Sequence, residues 1–294
     1  MNTDKIKNIV IAALSALTIL FVALIYFEEQ SYVLSASQQE HIISILEHND
    51  FSLASSVTMP RYFSPMRQLN MQWLNHDIEG IVARFFGDIV YEQDNEIGST
   101  FYYCDINEKE IGINLASNIV NFSSLFGFFV AGHGEGFAHT TAGSKELAYA
   151  FIHEVIGVND MEHYSTMLTS TGDYILVFYA RHEGYIVFNS HVRVRVASYG
   201  IVHVVYSNMT AGEFIDYERP IFSADEALLA LVSHLRAEHE YRQNILITDI
   251  QLIYAHQEGG VPAYLFTVLI DGSITFNYLF NAFTNMHIWS EIVL

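Results

Sequence analysis

Ser223-Ala-Asp-Glu-Ala-Leu-Leu-Ala-Leu-Val-Ser-His-Leu235 is the stretch on which the fold turns. Ser223 and Glu226 have the spacing of a capping box, in which a hydroxyl and a carboxylate satisfy the first free N–H groups of a helix. Leu228, Leu231, Val232 and Leu235 then recur at i, i+3, i+4 and i+7, one apolar stripe of helical period. The stripe needs a surface to cover. Residues 247–255, 263–270 and 273–279 read as strands, and Asp271-Gly272 reads as a type I′ hairpin turn, because both residue types accept positive φ. One helix on an antiparallel sheet is the simplest two-layer way to bury both apolar faces. Residues 220–294 are therefore read as a helix-plus-sheet unit.

Upstream, residues 144–217 repeat that plan. Ser144 is placed to cap a helix running to Ile156, and strands are expected at 174–180, 185–188, 190–197 and 201–206. Val192, Val194 and Val196 alternate with His191, Arg193 and Arg195, the pattern of a strand with one wet face. Residues 126–143, rich in Gly, read as a loop or linker. Residues 32–125 form a first α+β unit. There Ser35-Ala-Ser-Gln38 is another capping box, opening a helix over 36–48 with Ile42, Ile45 and Leu46 on one stripe and Asn49 at its end. Residues 51–59 read as extended, Pro60 and Pro65 bracket a loop, and 68–73 resumes a strand. Ile78, Ile81, Val82 and Phe85 predict a second helix stopped by Gly87. Strands follow at 100–104, 110–115 and 119–122, and acidic Glu92–Glu96 reads as a turn or loop.

Residues 1–29 read as a cytoplasmic tail and membrane anchor. The run 9–27 has no charge, Pro or Gly, and its polar groups are Ser15, Thr18 and the Tyr26 hydroxyl. A helix of that length spans about 28 Å, enough for a bilayer core. Lys5 and Lys7 precede it, and Glu28 and Glu29 follow it. The basic flank stays inside, which places the rest of the chain outside the cytoplasm. A signal peptide cleaved near Ser35-Ala36-Ser37 is the alternative, but its apolar core is usually only ~7–15 residues. Ala12 and Ala16 lie one helical turn apart, a small-xxx-small pair through which the anchor can pack on a partner helix.

The chain has 294 residues, 51% of them hydrophobic, and a net charge of −20. It can build a core, and its charge argues against nucleic acid and anionic lipid headgroups. Cys104 is the only cysteine, so no disulfide framework, multi-cysteine metal site or CxxC pair exists. An exterior domain of this size without disulfides suits a bacterium.

Fourteen histidines raise the question of metal. His133-Gly-Glu135 with His139 is the densest group. His153-Glu154-Val-Ile-Gly157 begins like a zinc-protease helix, but Gly157 stands where the second ligand belongs. His234, Glu238, His239 and Glu240 read as the solvated face opposite the leucine stripe. Cys104 and Phe101-Tyr102-Tyr103 read as core and sheet face. Asn121-Phe-Ser123 and Asn208-Met-Thr210 match the glycosylation pattern, which carries little meaning in a bacterium. No G-x-S-x-G, Walker loop or G-x-G-x-x-G occurs. No catalytic, cofactor or metal residue is assigned, and the chain is not read as an enzyme.

Several short signatures resemble the YycI/YycH regulatory proteins of Gram-positive bacteria, which accompany the WalK-type sensor histidine kinase of a cell-wall two-component system. They are the anchor after a Lys-containing tail; Tyr32-Val-Leu-Ser35 before a helix and Pro60; Tyr174 to Tyr179 leading to Ile186-Val-Phe-Asn189; Arg193 to Val196; and Gly200-Ile201. At the end come Ser223, Glu226-Ala227-Leu228, Ile250, Leu252, Tyr254, Pro262-Ala263-Tyr264 and Asn281-Ala282. This last group is also similar to the PepSY module of exterior regulators and peptidase propeptides. Tyr264 departs from the Trp that such units often carry, and residues 127–143 have no counterpart. The resemblance implies an α+β protein: an N-terminal transmembrane helix followed by small PepSY-like modules. It implies a single-pass, extracytoplasmic regulator that binds a sensor histidine kinase or a second regulator of the same family, without cofactor. The alternative is an inhibitor or chaperone of an exterior peptidase. A metal-dependent hydrolase using His133, Glu135 and His139 is a third class.

Overall fold

The computed structural model describes residues 11, 14–22, 33–104, 108–114, 117–215, 217–238, 244–257 and 259–293. In chain order the elements begin with α1 (Ala36–His48), β1 (Phe51–Leu53), β2 (Leu69–Trp73), α2 (Ile78–Phe86), β3 (Glu92–Glu96), β4 (Ser99–Cys104), β5 (Lys109–Asn114) and β6 (Ile119–Phe128). Next come α3 (Glu135–Ala138), α4 (Thr141–Phe151) continuing as a π-helical turn (Ile152–Ile156), β7 (Met161–Leu168), β8 (Tyr174–His182) and β9 (Tyr185–Ala197). The rest are β10 (Gly200–Ser207), β11 (Met209–Phe214), α5 (Ala224–Glu238), β12 (Ile245–His256), β13 (Gly260–Ile270), β14 (Ile274–Asn281) and β15 (His287–Ile292). The class is α+β, dominated by strands.

The chain divides into two compact units. Met1–Arg67, Tyr217–Leu252 and Pro262–Leu294 form a terminal unit; Gln68–Asp216 and Ile253–Val261 form a central one. In the terminal unit β1 runs parallel to β12, β14 pairs antiparallel with β13, and β15 closes the edge on β14. Asp271 and Gly272 hold φ of 51° and 68°, the expected I′ turn. α5 lies against β14, and α1 lies against α5 and β1. Leu228, Leu231 and Leu235 are fully buried and Val232 nearly so. The expected start of α1 is realised on both sides: Gln38 N donates to Ser35 Oγ at 3.3 Å, and Ser35 N donates to Gln38 Oε1 at 2.8 Å.

In the central unit, antiparallel pairing orders the strands β7-β8-β9-β10-β6-β5-β4-β3, and β2 pairs with β11. α2, α4 and the π-helical turn share one core with the sheet. Phe85, Phe122, Phe128 and Phe151 meet there, Phe151 edge-on to the other three at ring distances of 5.3–6.3 Å. Arg84 of α2 donates to Val155 O at 2.8 Å and to Ile156 O at 3.2 Å. It thereby occupies carbonyls that the end of α4 leaves without intrahelical partners.

Several expectations need correction. Glu92–Glu96 is strand β3, not a turn. It forms a hairpin with β4, Tyr103 Oη donates to Glu92 Oε2 at 2.9 Å, and its carboxylates stay in water as an edge strand allows. Thr140, not Ser144, caps α4: Gly143 N donates to Thr140 Oγ1 at 3.0 Å. Ser144 is buried inside the helix and its hydroxyl donates to Ala138 O at 3.3 Å. Gly143 is required there, since a Cβ would stand 2.3 Å from Phe137 O. Residues 126–143 are not a linker, because Phe128 ends β6 and Val130 and Ala138 lie in the central core. β7, β11 and β15 were not anticipated. The units also do not follow the sequential division 32–125, 144–217, 220–294, because α1 and β1 pack with the C-terminal elements.

Within the expected anchor 9–27, residue 11 and residues 14–22 are described; all are helical and exposed. Thr18 Oγ1 donates back to Leu14 O at 2.9 Å, as a hydroxyl does where no other acceptor competes. Ala12 and the remaining positions of the run lie outside the described residues. Among the described residues no helix is long and apolar enough to cross a membrane.

Candidate functional site

The histidine group at α3 is held by local bonds. His133 Nδ1 lies 3.3 Å from Ala131 O, its Nε2 lies 4.0 Å from Glu146 Oε1, and its ring meets Phe137 edge-on. Glu135 opens the four-residue α3, with its side chain outside the described residues, and His139 follows that helix in an exposed position. His153 Nδ1 pairs with Asn159 Oδ1 at 2.7 Å, its ring parallel to Tyr149. Glu154 is exposed. Among the described residues no three His, Cys, Asp or Glu side chains are grouped to hold a metal. Cys104 is buried opposite Lys109, whose ammonium lies over the Phe85 and Phe128 rings. Burial pushes that Lys109 amine below its ordinary value.

β9 carries the basic row seen in the sequence, but of it only Arg195 is exposed. Arg195 donates twice to Asp173 Oδ2, from Nε at 2.8 Å and Nη2 at 2.6 Å. The same sheet face holds Ile175, Val177 and Tyr179 of β8, all buried. His191 lies opposite Tyr179, ring centroids 5.9 Å apart, and burial first, then Arg193, pushes it down to about 4. A face expected to be solvated is therefore half apolar.

On α5, the leucine stripe seats the helix and leaves His234 at its rim. His234 stacks on His287 of β15 with ring centroids 4.1 Å apart and planes 24° apart. Tyr278 and Phe280 of β14 stand edge-on to His234 at 5.8 Å each. Glu238, one turn on, places Oε1 3.2 Å from His234 Nε2. That approach lies outside hydrogen-bond geometry, so the buried Nε2 atoms of both His234 and His287 have no hydrogen-bond partner among the described residues. His239 and Glu240 lie outside the described residues. The sequence pattern places His234 and Glu238 on a solvated face and does not single out His287. The signal it lacked was β15 itself, which brings His287 under α5. In the same unit Tyr264 is fully buried and donates to Phe222 O at 2.9 Å, just before α5.

No family model matches the sequence, and no curated protein matches it. A crystal structure of an uncharacterized protein from Eubacterium rectale is similar in fold: TM-score 0.51, 13% identity, covering 82% of this chain and 91% of that one. The Bacillus megaterium YpeB C-terminal domain aligns with a TM-score of 0.38 and 12% identity, over 76% of this chain and all but 1% of that domain.

Proposed function

We propose that this chain is a membrane-anchored, extracytoplasmic regulator that acts by binding rather than catalysis, with a sensor histidine kinase or a second regulator of its own kind as partner. The observation that carries this reading is the N-terminal helix. Leu14, Leu17, Ile19, Leu20, Phe21 and Val22 are each 50–70% exposed, on every side of the helix. An apolar surface of that kind calls for lipid or a partner helix. Lys5 and Lys7 ahead of it orient the remaining chain outward. Ala16 is helical and exposed on that segment, which suits close approach of a second helix. A partner shifts a kinase between signalling states only by binding those states unequally.

Two measurements test the reading. Protease added to intact spheroplasts should digest the C-terminal part, and a fully protected C-terminus overturns the topology. Co-purification with candidate kinases from membranes should recover a kinase with the wild type and less of it with Ala16→Leu or with an unrelated anchor. Equal recovery by all three reduces the helix to a tether. Recovery of no kinase by any of them turns the reading to the PepSY-like alternative, inhibition of an exterior peptidase. That alternative is favoured by the plan of α5 on β14.

A further inference from the structure

We infer that the stacked pair His234–His287 is an acid-operated clasp: it holds edge strand β15 against α5 while the His287 ring is neutral, and releases that edge once that ring is protonated. Two neutral imidazoles stack without electrostatic cost, and 4.1 Å between centroids is contact distance. The described titratable groups facing the pair are Glu238 of α5 and Tyr278 of β14. Tyr278 stays neutral, its phenol pushed up to about 12 by burial and then by Glu238. Glu291 of β15 is opposite Asn277 and one position out of phase with the Tyr278–Ser290 pair, so it lies on the other sheet face.

Glu238 Oε1 stands 3.2 Å from His234 Nε2, on the α5 side of the stack. A proton on His287 must enter a ring whose buried Nε2 has no acceptor among the described residues and which lies in contact with the His234 ring. Burial first, and then His234, lower the His287 value below 6.5, while Glu238 and a backbone bond at Trp289 oppose this. Well above pH 6.5 His287 is neutral whether β15 is seated or free, and the contact is complete. Below it the free form takes up a proton that the seated form refuses, so acid favours release. The loss grows until the pH falls below the seated-state value. Glu238 softens the effect, because its charge raises the His287 value. The clasp holds or fails independently of the kinase reading.

The test uses the full chain in detergent micelles with Trp73→Phe, which leaves Trp289 of β15 as the sole tryptophan. Between about pH 7.5 and 5, the window in which His changes charge, Trp289 emission should shift to the red. His287→Phe keeps an aromatic ring without the proton and should remove most of that shift. Glu238→Gln should enlarge it. A His287→Phe curve that tracks its parent, or a parent that shows no shift, overturns the clasp. If His287→Phe lacks the parent's near-ultraviolet circular dichroism at pH 7.5, His234→Gln replaces it and must flatten the curve in the same way.

Discussion

α4 and α5 each lay an apolar side on a sheet, and the two seams are closed by different chemistry. Beside α4 the closing group is Arg84, always charged, fixed to the Val155 and Ile156 carbonyls and 3.5 Å from Asp77. Beside α5 it is the His234–His287 stack, whose charge depends on pH. The cores behind the seams are alike: Phe151 and Leu147 in one, Leu231 and Leu235 in the other, are fully buried. Burial of an apolar stripe makes both helices; the rim decides which helix can be asked to move.

Removing the core side chains should show how alike the two interiors are. Phe151→Ala deletes the ring that meets Phe85, Phe122 and Phe128 edge-on, and should cost roughly 3–5 kcal/mol in urea unfolding of the full chain. Leu231→Ala should cost about 2–5 kcal/mol. With two units, each loss must be read from the transition it belongs to, which hydrogen exchange of α4 and α5 amides resolves. A loss below about 1 kcal/mol at either site breaks the comparison, because that helix would not be seated by its stripe.

The rim is tested by Arg84→Met. This keeps the apolar stem and removes the donors to Val155 O and Ile156 O. Arg84 is partly exposed, so water replaces some of the loss, and about 1–2 kcal/mol is expected. The local reporter is exchange at Gly157 and Val158, whose N–H groups both donate to Ile152 O. Faster exchange there with α5 unchanged assigns Arg84 to the α4 seam. Unchanged exchange at both removes its role.

What the sequence revealed was local. α1, α5 and the Asp271-Gly272 turn were legible because a cap, a stripe and two positive-φ residues are all specified within a few positions. β3 was hidden because Glu92–Glu96 is exposed at every position, so no face of it carries an apolar signal. β7 and β15, on sheet edges, are mostly half-buried or exposed and show no clean alternation. The grouping of α1 and β1 with C-terminal elements rests on pairings such as Phe51↔Ile245, which no local pattern encodes. For the same reason His234 could be picked out and its partner His287 could not.

The smallest expected difference concerns how the two units start their helices. At α1 the cap is reciprocal, Ser35 and Gln38 each accepting from the other's backbone N–H. At α4 the Thr140 hydroxyl accepts from Gly143 N, with no side chain returning the bond. Loss of an N-cap side chain generally costs about 0.5–2 kcal/mol. Ser35→Ala leaves the 2.8 Å bond from Ser35 N to Gln38 Oε1 in place, because the donor is backbone, so its cost should fall near the lower limit. Thr140→Ala removes the acceptor at the Gly143 amide, and no side chain returns a bond to replace it. Its cost should be about 1 kcal/mol or more. Adding Gln38→Ala to Ser35→Ala removes the returning bond and should bring the two caps level. Unfolding free energies of the three variants, with exchange at the Gln38 and Gly143 amides, decide the matter. A Ser35→Ala loss larger than that of Thr140→Ala would mean that the returning glutamine contributes nothing.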